Sequence, residues 1–319
     1  MITFQYYEDR YFYDIEKMVI HSYTYDIPIW GLSRHEFTKA IHPDFKSCHQ
    51  AWNESMGLSF EDNHLVAAVL SEGTYDGDAF LIFDSKERTN DLELIKRMVK
   101  FAITHLSSID EDRVTRTLNI QIPNWNTSLI DVVMSFGFVK TEYSENINIL
   151  PFDEKQFEVA LPNGFRFNKQ PVPAFYLSNV HRMSFNYGFP YAENGSKAFH
   201  ALRQMKHYDP SLEVVILDEE NQPVAFAIGW MDPSLPYAEL EPMAVCWWHR
   251  RKGLGKALLH ELANRIKAKY PHASGMTGGD QPFYTSIGFQ TVATLPTYQY
   301  KRTIHRSWDP KSKDERYDI

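Results

Sequence analysis

With 319 residues, of which 43% are hydrophobic and 14% aromatic, the chain can bury the cores of two domains of ordinary size. Its net charge of −8 disfavours nucleic acid as the main partner, because nucleic-acid-binding proteins carry a basic surface. No stretch approaches the ~18 continuous apolar residues of a membrane span, the N-terminus is unlike a signal peptide, and two distant cysteines do not predict a disulfide framework. We therefore expect a soluble, cytoplasmic protein with neither a nucleic-acid nor a membrane partner.

The first half of the chain alternates predicted strands and helices. Alternating apolar residues between turn residues predict strands, and apolar residues three and four apart predict helices. The predicted strands are 2–6, 56–61, 64–71, 79–83, 114–122 and 142–150. The predicted helices are 14–22, 90–105 and 124–135, the second of them capped by Asn90 or Asp91. The segment 30–53 is rich in histidine and aromatic residues but has weak periodicity, so no element is predicted there.

A polar, proline-flanked connection at 151–163 leads to a second half that repeats the same order of elements. The predicted strands are 165–167, 213–217, 224–230, 237–246, 273–277 and 292–301. The predicted helices are 173–186, 196–207, 254–270 and one to two turns that end at Ile287-Gly288-Phe289. Each half reads as hairpin, strand, helix, strand, a helix ending in Gly-Phe, and a closing strand. The chain therefore looks like a tandem repeat.

The most informative stretch is 237–270, which reads as a strand, a basic glycine loop and an amphipathic helix. Pro242, in the middle of the strand, cannot donate to a sheet ladder. The loop is Arg250-Arg251-Lys252-Gly253-Leu254-Gly255. Glycines let the backbone approach a ligand closely, and the N–H groups of a first helical turn favour an anion. The stretch therefore predicts a diphosphate-binding site.

Two other glycine motifs do not fit this loop. A P-loop requires Gly-x-x-x-x-Gly-Lys-Ser/Thr, but Arg250 stands at the first glycine position and Ala257 follows Gly255-Lys256. A dinucleotide fingerprint requires a third glycine, and that position is Leu258. A basic strand-to-helix turn that binds no ligand remains the alternative.

The same residues resemble the GCN5-related N-acetyltransferase (GNAT) family. That family's signature is Gln/Arg-x-x-Gly-x-Gly/Ala at the start of a helix after a bulged strand, and the loop matches it. The family's strand commonly reads Leu-Glu-Pro-x-x-Val, as does Leu240-Glu241-Pro242-Met243-Ala244-Val245. Many members have a proline where this chain has Trp247, a position outside the phosphate contacts.

The resemblance implies an α/β fold (α+β, with a mixed sheet) of two tandem GNAT-like domains, each a mostly antiparallel sheet flanked by helices. The expected boundaries are 1–153 for a degenerate first domain, 154–305 for the catalytic domain and 306–319 for a polar C-terminal tail. Residues 84–93 have no glycine pair and contain four acidic residues where a diphosphate would need cations. We therefore expect the first domain to bind no cofactor and to be a structural or substrate-shaping partner.

The resemblance also implies which residues meet acetyl-CoA, the expected co-substrate. The pantetheine arm runs beside Met243, Ala244 and Val245, and a backbone amide at Ala244 or Val245 donates to the thioester oxygen. The diphosphate lies on the loop and the first helical turn. Its expected contacts are Arg250, Arg251, Lys252, Gly253, Leu254, Gly255 and Lys256. No metal is expected.

Three side chains are candidates for proton transfer. Glu239 and Glu241 are two apart on the strand and so face the same side. Either could accept the proton that an amine must lose, directly or through water, or could only attract a cationic substrate. Tyr284, four residues before Gly288-Phe289, matches the tyrosine with which the family protonates the departing thiol, and a packed aromatic is the alternative. Many members have an asparagine one to two turns earlier, where this chain has Gly278-Gly279-Asp280-Gln281.

Other reactive or aromatic residues are assigned mainly to packing. An acetyl-cysteine relay at Cys246 lacks an evident histidine–acid pair, so ordinary burial is expected. Trp247-Trp248 could form a ligand platform or could pack, and packing is expected. His42, Cys48 and His49 have no partner pair at zinc-like spacing. The aromatic residues that either line the acceptor cleft or belong to the core are Phe185, Tyr187, Phe189 and Tyr191.

These features predict an acetyl-CoA-dependent N-acetyltransferase that moves an acetyl group to a primary amine by direct transfer in a ternary complex. The expected acceptor is a small-molecule or peptide amine in a cleft shaped by the helices within 173–207, and a monomer or homodimer is expected. The alternatives are a transferase that uses a longer acyl group and a non-catalytic acyl-CoA-binding sensor or interaction protein.

Overall fold

The computed structural model describes residues 2–45, 55–73, 77–112, 114–153, 156–185 and 192–303, without the side chains of 41–45 and 192–194. Its helices are α1 (Phe12–Ser22), α2 (Leu32–Phe45), α3 (Leu92–His105), α4 (Thr127–Ser135), α5 (Ala174–Phe185), α6 (Ala192–Leu202), α7 (Leu254–Lys269) and α8 (Pro282–Ser286). Its strands are β1 (Ile2–Tyr6), β2 (Gly57–Glu61), β3 (His64–Leu70), β4 (Asp78–Phe83), β5 (Ser108–Ile109), β6 (Thr115–Gln121), β7 (Val139–Pro151), β8 (Arg166–Phe167), β9 (Tyr208–Leu217), β10 (Pro223–Trp230), β11 (Glu239–Val245), β12 (Gly275–Gly278) and β13 (Gln290–Thr303). None of these helices is both long and apolar enough to cross a membrane.

The chain folds into two compact units, and neither unit is a continuous piece of sequence. Unit 1 comprises Met1–Ile29, His49–Glu145 and Thr294–Ile319, whereas unit 2 comprises Trp30–Cys48 and Asn146–Ala293. Helix α2 therefore belongs to unit 2, and most of β13 belongs to unit 1. A single boundary near residue 153 does not describe this division, and the expected polar tail lies outside the described residues.

Unit 1 is a sheet covered by helices. Strands β1, β2, β3 and β4 are successive antiparallel neighbours, and β4 runs parallel to β6. The predicted turn between β2 and β3 is present, and Asp62 and Asn63 have the φ angles of 49° and 65° that a tight hairpin turn requires. Helices α3 and α4 supply much of the core, in which Ile95, Met98 and Val133 are fully buried.

Unit 2 contains an antiparallel sheet in the order β11-β10-β9-β8 and a shorter antiparallel pair formed by β12 and the end of β7. Helix α7 packs on β9 and β10, and α5 packs on β10 and β11. Phe199, Phe226 and Trp230 lie in the core between the sheet and its helices. Strand β11, which contains the residues singled out by the sequence, is at the edge of this sheet.

The closing strand of each half of the sequence pairs within the other unit. Strand β7 closes the first half, yet its residues 148–151 pair with β12 in unit 2. Strand β13 closes the second half, yet its residues 297–303 pair with β6 in unit 1. The repeat is present as predicted, but its two copies exchange their last strands, so neither half of the sequence supplies a complete sheet by itself.

Helix α2 lies where the sequence predicts no element, and its burial explains why. Ser33, His35 and Glu36 are buried beside Leu32 and Ala40. Because polar side chains occupy inward positions, the helix shows no apolar stripe that would identify it from the sequence. Buried polar groups need partners, and the imidazole of His35 accepts from the indole of a neighbouring tryptophan at 3.3 Å.

Candidate active site

The outer side of β11 is open over the residues that the sequence singles out. Strand β11 approaches β12 at an isolated parallel bridge, where Ala238 N donates to Gly275 O and Thr277 N donates to Ala238 O, both at 2.9 Å. Beyond this bridge, in the described part of the chain, β11 is paired with β10 alone. The outer backbone edge of residues 243–245 therefore has no neighbouring strand, and a ligand can lie along it.

A β-bulge interrupts the other side of β11 at Pro242. The register with β10 shifts between Ala227 and Gly229, so that β11 has one more residue than β10 over this span. The indole nitrogen of Trp230 donates to the carbonyl oxygen of Glu241, which satisfies an acceptor that has left the ladder. The break that the sequence predicts at Pro242 is therefore present and is held by a specific hydrogen bond.

The glycine loop leads into α7 as predicted. Gly253 is the N-cap with a φ of 84°, and Arg251 also has a left-handed φ of 64°. The N–H groups in the first turn of a helix have no acceptor within the helix, and Gly253 has no side chain with which to cap them. An anion at the loop would meet the amides of Leu254, Gly255 and Lys256 and the positive end of the helix dipole.

Arg250 fixes the loop in place. Its guanidinium donates to the carbonyl oxygen of Ser184 near the end of α5, and its Nε donates to Val245 O at 3.4 Å. The side chain thus ties the loop to α5 and to the end of β11. Arg250 therefore shapes the loop through protein contacts, in addition to adding positive charge beside it.

Three further cations surround the start of α7. Arg251, Lys252 and Lys256 are exposed. The Nζ atom of Lys252 lies 3.2 Å from Nδ1 of His249. Burial lowers the pKa of His249, and the charge of Lys252 lowers it further. His249 is therefore neutral at neutral pH and can accept from Lys252, which orients this cation beside the loop.

Gly255 allows the loop, β11 and α8 to meet. A Cβ atom at Gly255 would lie 2.8 Å from Cζ of Phe283 on α8 and 3.2 Å from Cε of Met243 on β11. Both distances are shorter than ordinary van der Waals contacts, so a larger residue would force these side chains apart. The start of α7, the open edge of β11 and the aromatic residues of α8 are therefore packed together within unit 2.

Tyr284 on α8 points towards β11. Its hydroxyl donates to Sδ of Met243 at 3.9 Å, and its ring lies so close to Gly278 and Gly279 that a Cβ on either glycine would come within 2.7 Å of it. Burial raises the pKa of Tyr284 to about 12, the charge of Glu241 adds to this, and a hydrogen bond from the Gly279 backbone acts in the opposite direction. The phenol is therefore protonated at neutral pH and can donate a proton.

Glu239 is buried at the start of α2. Its Oε2 accepts a 2.6 Å hydrogen bond from the backbone nitrogen of Ser33, and a Cβ on Gly31 would lie 2.3 Å from its Oε1. Burial raises the pKa of Glu239 to about 7 and the charge of Glu241 raises it further, whereas backbone hydrogen bonds from Ser33 and Leu32 lower it. Glu239 is therefore divided between its protonated and ionised forms at neutral pH.

Glu241 has a different environment from Glu239. Its side chain is half-buried, whereas Glu239 is only 5% exposed. Its charge raises the pKa of both Glu239 and Tyr284. The two glutamates are thus electrostatically coupled, as their spacing on one strand suggests, but burial distinguishes them.

The residues that follow β11 divide between the core and the surface. Cys246 is buried, as expected, and burial raises the pKa of its thiol to about 11, so the thiolate needed for an acetyl relay is scarce at neutral pH. Trp247 and Trp248 are 64% and 44% exposed, so the expectation that they pack is wrong. The short 3₁₀ turn Trp247–His249 carries both indoles out of the sheet.

Of the aromatic residues considered for the acceptor cleft, Phe185 is 48% exposed at the end of α5 and is not core. The others, Tyr187, Phe189 and Tyr191, fall outside the described residues, as do Cys48 and His49 and the side chain of His42.

Two contributors to the site come from the first half of the sequence. Ser33 contributes its amide from α2, which shows no helical pattern, so no sequence signal could have found it. Asn148 contributes its amide side chain from β7 and donates to Gly279 O at 3.0 Å. Asn146 and Asn148 alternate with Ile147 and Ile149 on β7. Because a buried polar side chain needs a hydrogen-bond partner, this alternation was a sequence signal for a polar contact on one face of the strand.

Comparison with known proteins agrees with this geometry. Residues 210–291 match the family model described as an acetyltransferase (GNAT) domain. This chain contains a GNAT domain. The matched residues include β11, the glycine loop and Tyr284, so the resemblance inferred from the sequence is confirmed. GNAT domains as a class transfer acyl groups from acyl-CoA to nitrogen acceptors, and the match supports this general activity.

Solved structures extend the similarity to nearly the whole chain. A GCN5-related N-acetyltransferase from Sphaerobacter thermophilus is 12% identical with a TM-score of 0.53, and the alignment covers 94% of this chain and 95% of that chain. A tandem GNAT protein from the clavulanic acid biosynthesis pathway is 10% identical with a TM-score of 0.59, and the alignment covers 94% and 98%. At these identities the likeness shows the fold alone, and it confirms the predicted fold of two tandem GNAT-like domains. No curated protein sequence matches this chain.

Proposed function

We propose that this GNAT protein transfers an acetyl group from acetyl-CoA to a primary amine by direct transfer in a ternary complex, with unit 2 as the catalytic domain. The observation that supports this most strongly is the meeting of three features: the open edge of β11, the uncapped start of α7, and Tyr284. Transfer from a thioester needs a site for the cofactor's anionic part, hydrogen-bond donors for the developing oxyanion, and groups that move protons.

The diphosphate of acetyl-CoA would bind at the glycine loop. The first-turn amides of α7 face the loop, and Lys252 and Lys256 lie beside it. Arg251 and Gly253 have left-handed backbone, a conformation that occurs in the backbone concavities that bind anions. Arg250 contributes by holding the loop against α5. Because these hydrogen-bond donors are already in place, the loop needs little reorganisation when the anion binds.

The pantetheine arm would lie along the open edge of β11. Cys246 N donates to Val224 O on β10 at 2.9 Å. Because hydrogen bonding alternates along an antiparallel strand, Ala244 faces β10 as well, and the N–H groups of Met243 and Val245 face the open side. Of the two amides that the sequence leaves open, Val245 is therefore the better donor to the thioester oxygen.

The amine must lose a proton before it attacks the thioester carbon. An alkylamine has a pKa of about 10, and a proton acceptor works best when its own pKa is near the operating pH. Burial raises the pKa of Glu239 to about 7, so we assign it as the proton acceptor, directly or through water. Glu241, half-buried on the same strand, would attract the cationic amine and is the alternative acceptor.

The departing thiolate needs a proton. The Tyr284 phenol is protonated at neutral pH and its hydroxyl points at the strand along which the thioester would lie. Glu239 takes the ammonium proton before attack. The nitrogen–carbon bond then forms, the carbon–sulfur bond breaks and Tyr284 gives a proton to the sulfur of CoA. The second proton that the nitrogen loses as the amide forms replaces the one given up by Tyr284. No metal is needed for these steps.

Unit 1 would bind no acetyl-CoA, because its own side chains occupy the corresponding position. The carboxylate of Asp91 caps α3 by accepting from Leu94 N at 3.1 Å, whereas α7 begins at a glycine. Arg88, beside this cap, is paired with Glu61 and lies 3.9 Å from Asp91. An incoming diphosphate would have to displace a carboxylate from the helix start.

The test is release of free CoA thiol from acetyl-CoA in the presence of separate amines: an aminoglycoside, a polyamine, amino acids and a peptide with a free N-terminus. Release that depends on one class of amine supports the proposal, and propionyl- and longer acyl-CoA in the same assay measure acyl preference. Binding of acetyl-CoA without release for any amine would instead favour the non-catalytic sensor.

A further inference from the structure

The turn that supports Tyr284 consists of two glycines, Gly278 and Gly279. Strand β12 ends at Gly278, which pairs with Asn148 of β7, and Gly279 follows beyond the ladder. The ring of Tyr284 rests on the backbone of both glycines, since a Cβ on either one would lie 2.7 Å from a ring carbon of Tyr284. Because glycine backbones are conformationally free, the position of the ring depends on whatever fixes this turn.

Asn148 fixes the turn with its side chain. The residue is 1% exposed, and its Nδ2 donates to Gly279 O at 3.0 Å while its Oδ1 accepts from Oγ1 of Thr291 at 2.7 Å. A carbonyl oxygen can only accept, so the amide nitrogen must face Gly279. A second contact strengthens the same turn, because Asn146 Nδ2 donates to Asp280 Oδ1 at 3.1 Å.

We infer that Asn148 is a positioning residue for the acyl transfer: through Gly279 it holds the phenol of Tyr284 against the open edge of β11. The inference rests on the proposed role of Tyr284 as proton donor. Asn148 belongs to the closing strand of the first half of the sequence, so that half supplies unit 2 with a strand and with the anchor of the proposed proton donor. The exchange of closing strands thus has a functional consequence in addition to a structural one.

A double-mutant cycle tests the inference. In Asn148→Ala the turn loses its anchor, and kcat is expected to fall about tenfold while the Kd for acetyl-CoA stays within about twofold. In the Tyr284→Phe background the same substitution is expected to lower kcat by less than about twofold further, because the group that it positions is already absent. Equal fold losses of kcat in both backgrounds would overturn the inference.

Asn264→Ala is the matched control. Like the Asn148 amide, the Asn264 amide makes two hydrogen bonds, here both to backbone: its Oδ1 accepts from Phe157 N at 2.8 Å and its Nδ2 donates to Phe157 O at 2.9 Å. Its removal should cost similar stability without moving Tyr284. A loss of kcat equal to that of Asn148→Ala would mean that general destabilisation explains both variants. Should Asn148→Ala fail to fold, Thr291→Val removes only the hydroxyl that orients Asn148 and is expected to give a smaller, still non-additive loss.

A second readout does not depend on activity. In protein labelled with 3-fluorotyrosine, the resonance of Tyr284 is identified as the ¹⁹F signal that Tyr284→Phe removes. Asn148→Ala should shift or broaden this signal, whereas Asn264→Ala should leave it unchanged. An unchanged signal in Asn148→Ala would overturn the inference even if the enzyme is active. If no amine supports thiol release but the signal still moves, the proposed function fails and the positioning of Tyr284 by Asn148 stands.

Discussion

The Oε2 atom of Glu239 lies 2.6 Å from the backbone nitrogen of Ser33, although 206 residues separate them in the sequence. The contact places the first turn of α2 against the carboxylate of Glu239 on the edge strand β11. Two opposing effects act on this carboxylate, because burial favours its neutral form while the amides at a helix start favour its anion. Burial is the larger effect, and it raises the pKa of Glu239 to about 7.

The first prediction concerns the pH dependence of catalysis. If Glu239 accepts the amine proton, it must be ionised, so kcat/KM should rise with pH to a plateau above an apparent pKa near 7. Glu239→Gln should lower kcat/KM and abolish this rise. Glu241→Gln should keep the rise but shift it to lower pH, because the charge of Glu241 raises the pKa of Glu239. Loss of the rise in Glu241→Gln alone would move the role of proton acceptor to Glu241.

The second prediction concerns stability. The pKa of Glu239 is higher in the folded protein than its ordinary value of 4.5, so the folded state binds this proton more tightly than the unfolded chain. The contribution to stability is fully present below pH 4.5 and is lost as pH rises towards 7. At pH 8 Glu239→Gln should therefore be more stable than the parent protein, by up to about 3 kcal/mol.

Urea denaturation of both proteins at pH 4.5 and pH 8 measures the effect, with Glu219→Gln as a surface control. A difference between Glu239→Gln and the parent that does not change with pH would mean that Glu239 has the same pKa in the folded and unfolded states.

The third prediction concerns the proton donor. Tyr284→Phe removes the hydroxyl but keeps the ring against Gly278 and Gly279, so kcat should fall by roughly 100-fold while the Kd for acetyl-CoA changes little. Tyr270→Phe, at the far end of α7, is the matched control and should leave kcat unchanged. An unaltered kcat in Tyr284→Phe would exclude Tyr284 from proton transfer.

The fourth prediction concerns stoichiometry. Because Asp91 occupies the start of α3 whereas the start of α7 has no side-chain cap, isothermal titration calorimetry should find one acetyl-CoA site per chain. Gly255→Leu should abolish binding, since a Cβ at this position already approaches Phe283 and Met243 closely. Two sites per chain, or binding that survives in Gly255→Leu, would contradict the assignment of the site to the loop of unit 2.

Much of the local structure of the candidate site could be predicted from the sequence, because its signals are local. The glycine loop, the proline of the strand and the tyrosine before Gly288-Phe289 lie in short segments whose backbone geometry follows from the residues themselves. The exposure of Trp247 and Trp248 could not be predicted, since large aromatic residues after a buried strand usually pack. The turn Trp247–His249 directs them outward instead.

The sequence by itself determined the order of the elements, the tandem repeat, the candidate anion site at the start of α7 and the identity of the acid–base candidates. Only the tertiary structure decided that α2 and β7 complete unit 2, that Ser33 meets Glu239 and that Asn148 anchors Gly279. The physical reason is that hydrophobic periodicity reports how a segment faces the core, and it contains no information about which distant segment lies opposite. Contacts between polar groups from different halves of the chain follow from the placement of α2 and the end of β7 in unit 2, which no local pattern records.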